Sequence, residues 1–265
     1  MFCIIFTNDG MKLFILRISI LFSNILNKII FFFFRISFNL KWLSGNGLEV
    51  GPGENPFSIS RTTIYLDKLI DNYSQIFPAA DRSQYIDGVV EHLPFDDNKF
   101  DFVMSSHVLE HCCDTIKVLK EISRVLRPNG LIVLILPHMN RTFDKGRVIS
   151  TLQKHVKDYC LKVNPLDYIQ PKQRHFYIFS EFLRVSVTPF CHGWKKSALD
   201  EEGNYDPYWM VNNAVIHYHC WDTAEMIRIL KHMNLKVVSE ADKVPGRPDS
   251  FYIVAKKINK LCMDS

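Results

Sequence analysis

The stretch Gly47-Leu48-Glu49-Val50-Gly51-Pro52-Gly53 constrains this chain more than any other part of it. It reads as a buried strand running into a glycine turn, with a carboxylate just before the turn. Glycines at 51 and 53 allow positive φ and a close approach of backbone to ligand, which any side chain there would block. A dinucleotide fingerprint needs a third glycine three residues after the second, to seat a helix on the strand with its N-terminus facing a pyrophosphate. Pro56 stands in that place, which argues against a hydride-transfer cofactor.

The segments that follow extend the pattern. Thr63-Ile64-Tyr65-Leu66-Asp67 is a β-rich run ending in an acid, where a parallel sheet presents a carboxylate to a ribose diol. Glu49 and Asp67 flanking a glycine turn suit a cationic nucleoside such as S-adenosylmethionine (SAM) better than a phosphate-bearing one. Residues 100–105 predict another strand, preceded by a polar turn and followed by the loop Ser105-Ser106-His107-Val108-Leu109-Glu110-His111. The carboxyl ends of such strands are where open α/β sheets bind ligands. From Asp114, apolar Ile116, Leu119, Ile122 and Leu126 recur at helical spacing, with Asp114 or Thr115 as N-cap and Arg124 and Arg127 near the C-terminus. Arg127-Pro128-Asn129-Gly130 predicts a turn into the apolar run 131–136.

This order of blocks over residues 45–137 resembles a class I SAM-dependent methyltransferase of the type 11 kind: glycine turn with preceding acid, acid after the second strand, Leu93-Pro94-Phe95, the strand 100–103, Leu109-Glu110-His111, and the turn 127–130 before a strand. The resemblance implies a Rossmann-like α/β fold with a mostly parallel seven-stranded sheet, helices on both faces and SAM as cofactor. It implies Glu49, Gly51 and Gly53 at the methionine and ribose parts of SAM, Asp67 on the ribose hydroxyls, the region of Asp87 and Glu91 at the adenine, and His107 near the methionine end. The usual adenine-side acid falls on Val89 here, so either Asp87 takes the role after a register shift or backbone groups read the adenine alone. About ten residues separate Gly53 from the second strand, too few for a full helix. That shortening, the block 137–147 and His217-Tyr218-His219-Cys220-Trp221-Asp222 look like methyltransferases of polysaccharide and cell-surface glycan gene clusters.

The organisation expected is an apolar amphipathic segment over 1–44, a SAM-binding core over 45–137, an acceptor-binding insertion or lid over 138–220, and a closing helix and strands over 221–258. The chain has 265 residues, 47% hydrophobic and 23% charged, enough for one α/β domain with insertions. A net charge of +4 without a basic run interleaved with aromatics gives no footprint for nucleic acid. Seven cysteines, with Cys112 and Cys113 adjacent and no CxxC pair, read as reduced thiols of a cytoplasmic protein.

Residues 12–38 are rich in Phe, Ile and Leu, while Arg17, Asn24, Lys28 and Arg35 stack along one helical face. As a membrane span this is marginal: the apolar residues of 16–34 are worth roughly −4 to −8 kcal/mol, against about +5 to +7 for Arg17 and Lys28 at depth. The alternatives are an interfacial helix on the cytoplasmic face of a membrane, with basic residues near anionic headgroups, and a helix docked on the domain. No small-residue cleavage site follows the apolar core, which argues against a signal peptide, and Met11 offers a second start.

The insertion carries helix-like segments at 152–159 and 176–187. Its Trp194, Tyr205, Tyr208 and Trp209 fit either sugar stacking or a local core. Thr223 to Met233 predicts a helix capped by Asp222, and 235–239 and 251–255 predict closing strands. For the chemistry, a hydroxyl acceptor benefits from a base. His138, just past the fifth strand, is the expected base, with Asp144 and Arg147 orienting it or clamping substrate hydroxyls. His217 and His219 alternate and would share a face in a strand, yet no third ligand at convincing spacing is evident, so no metal is expected. The reaction expected is O-methylation of a sugar or glycan, with a lipid or quinone-like acceptor as the alternative. A catalytically silent SAM-binding partner of a glycan enzyme, or a metal-dependent hydrolase, are the readings from other classes. The oligomeric state is left open.

Overall fold

The structure, a computed structural model, describes residues 8–53, 56–68, 85–171, 173, 175–187, 204–213 and 215–258, with side chains described from residue 22 onward. Its frame is one seven-stranded sheet: β1 (Gly47–Val50), β2 (Thr63–Asp67), β3 (Tyr85–Asp87), β4 (Phe100–Ser106), β5 (Leu126–Pro137), β6 (Leu235–Ala241) and β7 (Ser250–Lys257), in the spatial order β3-β2-β1-β4-β5-β7-β6. Strands β3, β2, β1, β4 and β5 pair in parallel, and β7 inserts antiparallel between β5 and β6. All four positions of β1 are buried, as a central parallel strand covered on both faces requires. The chain leaves β1 toward β2 on one side and later returns to place β4 on the other. That reversal opens a crevice at the carboxyl ends of β1 and β4, and the Glu49 turn lies there.

The helices form where local chemistry asked for them. The Asp114 carboxylate accepts from the Lys117 amide at 2.9 Å and starts α2 (Thr115–Val125), whose Ile116, Val118, Leu119, Ile122 and Val125 are buried against the sheet. The predicted turn at 127–130 is present as an irregularity inside β5: Phe100 pairs with Leu126 but Phe102 with Leu131, and Asn129 takes φ +66°. The insertion supplies α3 (Leu152–Leu161), α4 (Pro165–Ile169), α5 (Phe176–Phe182), continued by a π turn to Val187, and α6 (Pro207–Asn212). Then α7 (Thr223–His232) starts on Asp222, whose carboxylate accepts from the Glu225 amide. No helix lies among the described residues between β1 and β2.

The N-terminal segment is the helix α1 (Asn8–Trp42). Its C-terminal half docks on the domain: Phe38, with Leu43 just past the helix end, is buried with Phe57, Phe102, Met104, Val133, Ile135 and Val254, and Phe31 and Phe34 pack at the margin. Gly246 lies so close to the α1 backbone that an added Cβ would come within 2.3 Å of Asn27 O. Arg35, expected on a polar stripe with Asn24 and Lys28, is turned into the domain, because its guanidinium donates to Phe57 O at 2.8 Å and to Pro56 O. Lys28 is exposed, and so are Phe22, Leu26, Phe32 and Phe33. Arg17 lies outside the described side chains. Among the described residues no helix is long and apolar enough to cross a membrane.

A second core belongs to the insertion. Tyr168, Ile178, Phe179, Phe182, Met210, Ile216 and Tyr218 are buried together with Cys113, and Tyr205 and Trp209 pack against them. Those two aromatics are therefore local core, whereas Tyr208 is exposed. Trp194 lies outside the described residues.

Candidate functional site

The crevice is built by the glycine turn. Gly51 (φ +62°) donates its N–H to Leu66 O at 2.8 Å, and Gly53 (φ +58°) donates to Asp67 Oδ2 at 3.2 Å, so the turn is tied to β2 at both glycines. Only glycine adopts this conformation without strain, and at Gly51 a Cβ would sit 2.3 Å from Val108 Cγ2. The Tyr85 hydroxyl donates to Gly53 O at 2.9 Å. Asp67 and Asp87 stand in register at the ends of β2 and β3. Glu91 borders the Cys112 and Cys113 thiols, and burial first and then its charge push Cys113 up to about 12.

Glu49 is almost wholly buried, and its two oxygens accept from Phe57 N at 2.6 Å and Ser58 N at 2.8 Å. These bonds replace the missing helix as the tie that holds the segment after the turn. Burial pushes the carboxyl up to about 7, against the pull of the two amides and of Arg35. A cationic ligand beside it favours the ionised form. SAM binding below pH 7 is therefore expected to expel a proton and to tighten as pH rises through 7. Calorimetry in two buffers of different ionisation enthalpy checks this; zero proton release at pH 6 would contradict it.

The cleft has a volume of about 240 Å³ and is lined by Phe31, Arg35, Glu49, Gly51, His107 and Arg247 among others. His107 terminates β4's loop in the left-handed region, at φ +56°. Its Nε2 lies 2.9 Å from Ser250 Oγ and accepts from the Arg247 guanidinium at 3.1 Å. Since arginine can only donate, the His107 proton is on Nδ1, which faces Glu110 Oε1 at 3.4 Å.

Behind His107 runs a buried polar cluster. Glu110 is fully buried, and burial, which would raise its pKa, is overcome by His107, His111 and His217, which hold it at about 2. Asp144 accepts from Arg147 Nη1 at 2.8 Å, from Ser186 Oγ at 2.9 Å and from His217 Nδ1 at 2.6 Å. Burial raises its carboxyl too, but His217 and Arg147 outweigh it and hold the group at about 2. The rings of Phe143 and Phe182 flank His217.

Of the expected site residues, Glu49, Gly51, Gly53 and Asp67 converge at the turn, and His107 borders the same cleft. Asp144 and Arg147, expected to orient His138 or to clamp substrate hydroxyls, instead form a buried ion pair with each other. His138 is not brought to either of them. Its Nδ1 accepts from Asn140 N and its Nε2 lies 3.5 Å from Asp242, because backbone pairing with Asp249 and Trp221 directs it toward the β6 side. His217 and His219 do not share a site: residues 215–220 form no strand, and His219 Nε2 donates to Cys113 O at 3.0 Å. The residues that the sequence did not single out for chemistry are Glu110, Ser250 and Arg247. Only the Leu109-Glu110-His111 block gave any signal of the first.

Residues 60–134 match the methyltransferase-domain family. A demethylmenaquinone methyltransferase of Staphylococcus epidermidis is 32% identical over 71 residues, 27% of this chain and 30% of the relative. A malonyl-[acyl-carrier protein] O-methyltransferase of Yersinia pestis is 28% identical over 138 residues, 49% of each chain. The chain thus spans under a third to about half the length of these curated relatives. Among solved structures, a SAM-dependent methyltransferase of Thermotoga maritima aligns with TM-score 0.48 at 13% identity, covering 88% of this chain and 92% of that one.

Proposed function

From a chain that carries a class I SAM-dependent methyltransferase domain, we propose a transferase that moves the methyl group of SAM to a hydroxyl oxygen of a sugar or glycan. The observation that carries the proposal is the cleft at the reversal of strand order, lined by Glu49 and Gly51 of the glycine turn and by His107. Methyl transfer from a sulfonium is an in-line displacement. The S–CH₃ bond breaks as the O–CH₃ bond forms, the sulfur keeps the electron pair to give S-adenosylhomocysteine, and the hydroxyl proton must leave. The protein's task is to align the three reacting atoms and keep water away. We assign the proton to His107 Nε2, which on acceptor binding exchanges the hydrogen bond it accepts from Arg247 for one from the acceptor hydroxyl. Its ring is oriented by Glu110, a carboxylate behind an imidazole as in other histidine bases. His138 is not assigned the role, since its partners lie outside the cleft.

A lipid or quinone-like acceptor is the second reading. It is favoured by the exposed apolar side chains of α1, namely Phe22, Leu26, Phe32 and Phe33, and by what the named relatives methylate. Incubation with deuteromethyl-SAM and parallel panels of oligosaccharides and of prenylated hydroquinones, read by mass spectrometry, tests the two. The expected result is a deuteromethyl ether on a sugar, with kcat lowered about 10²- to 10⁴-fold in His107→Gln. Transfer only to a hydroquinone would overturn the sugar reading, and undiminished kcat in the variant would remove His107 from the mechanism.

A further inference from the structure

Among the described residues, two groups of side chains have the donors for a metal ion, and they differ in one decisive respect. In the first, a carboxylate oxygen of Glu110 and a ring nitrogen each of His111 and His217 all lie within 4.8 Å of one another. In the second, His155, Asp158 and His219 are equally close, but their donors are spoken for. The Lys154 ammonium stands among them, 2.6 Å from Asp158 Oδ2 and 3.2 Å from His219 Nδ1. His175 and Tyr168 donate to Asp158, and Trp221 donates to His155 Nε2. A lysine already supplies the positive charge there.

The first group has no such occupant. The fully buried Glu110 has one long approach, from His107 Nδ1 at 3.4 Å, and neither of its oxygens accepts a hydrogen bond of normal length and angle from a described residue. The Lys and Arg side chains that the structure pairs nearby are turned elsewhere, Arg147 onto Asp144 and Glu181. A buried carboxylate without a compensating cation costs several kcal/mol. The two imidazoles are set in the same sense. His111 Nδ1 donates to Ile216 O at 3.1 Å and His217 Nδ1 donates to Asp144 Oδ2 at 2.6 Å, so on each ring Nε2 holds the free lone pair. Backing one ring nitrogen with a carbonyl or carboxylate so that the other can ligate is how metal-binding histidines are oriented. The two rings meet edge to face with centroids 4.7 Å apart.

We propose that Glu110, His111 and His217 form a buried site for a divalent first-row transition ion, behind the His107 that lines the cleft. Two imidazoles and one carboxylate suit zinc, iron(II), manganese or cobalt rather than magnesium or calcium, which prefer all-oxygen sets. At bond lengths of about 2.0–2.2 Å the donors close up through small side-chain rotations, leaving further positions for water or a substrate oxygen. His107, whose Nδ1 lies 3.4 Å from Glu110 Oε1, separates this site from the cleft that it lines. The site does not depend on which acceptor is methylated.

The test uses the full chain, stripped with a chelator and then dialysed to equilibrium against cobalt(II), manganese(II) or zinc(II). The metal content is measured by mass spectrometry and the cobalt d–d spectrum recorded. The expected result is one equivalent per chain with a nitrogen- and oxygen-ligated cobalt spectrum. Glu110→Gln and His217→Gln are expected to lose at least about tenfold in affinity, while His155→Gln in the second group is unchanged. Substoichiometric uptake by the unaltered chain, which needs no variant to fold, would overturn the proposal and leave His107 Nδ1 as the partner of Glu110. Uptake undiminished in both ligand variants would overturn it as well. Binding of S-adenosylhomocysteine, followed in the same samples, separates failure of this site from failure of the methyltransferase reading.

Discussion

Asp144→Ala is expected to destabilise the protein by about 3–5 kcal/mol, because it breaks a buried ion pair and leaves the other partner charged in the interior. Asp144 and Arg147 side chains are each 1% exposed. With the carboxylate gone, the Arg147 guanidinium keeps Glu181 at 3.6 Å as its carboxylate partner among the described residues, and Ser186 and His217 lose their bonds to Asp144. In a domain of this size the loss corresponds to a melting temperature about 10 °C lower or more, readable by thermal unfolding. The carboxyl is held at about 2 against an ordinary 3.8, so its contribution is complete above about pH 4 and disappears as pH falls toward 2. Wild type and variant should therefore converge in stability over that interval. A variant that melts with the wild type at pH 7 would show that the cluster does not hold the insertion to the core.

Gly51→Val is expected to weaken cofactor binding by about a hundredfold or more while leaving the chain folded. A branched residue forced to φ +62° costs roughly 1–3 kcal/mol of backbone strain, and every 1.4 kcal/mol of binding energy is about tenfold in affinity. The new Cβ also meets Val108 Cγ2 at 2.3 Å, so either the turn or the loop carrying His107 must move. Either movement displaces residues that line the cleft, Glu49 and Gly51 on the turn or His107 on the loop.

The turn was legible in the sequence because its chemistry is local. Glycines at 51 and 53 beside a strand have few other uses, and Asp67 follows at the end of the next strand. The α2 cap at Asp114 and the α7 cap at Asp222 were readable for the same reason. The polar cluster was not legible, because its members are far apart in the chain. His217 reaches Asp144 across 73 residues, and it meets His111 because the chain around Tyr218 runs beside the short turn at 109–111, with Tyr218 N donating to Glu110 O at 2.8 Å. Nothing in the spacing of His217 and His219 announces that one bonds Asp144 and the other Cys113. The docking of α1 was hidden for another reason: its Phe-rich surface suits a protein core as well as a lipid, and only the fit of Phe31, Phe34 and Phe38 around Phe57 and Tyr252 decides for its C-terminal half.

The most direct test of the account is calorimetric titration of the full chain with S-adenosylhomocysteine, with Gly51→Val beside it. Saturable one-to-one binding in the wild type, weakened about a hundredfold in the folded variant, is the result the account predicts. No binding by folded wild type would contradict the assignment of the cleft to SAM, and with it the methyltransferase reading.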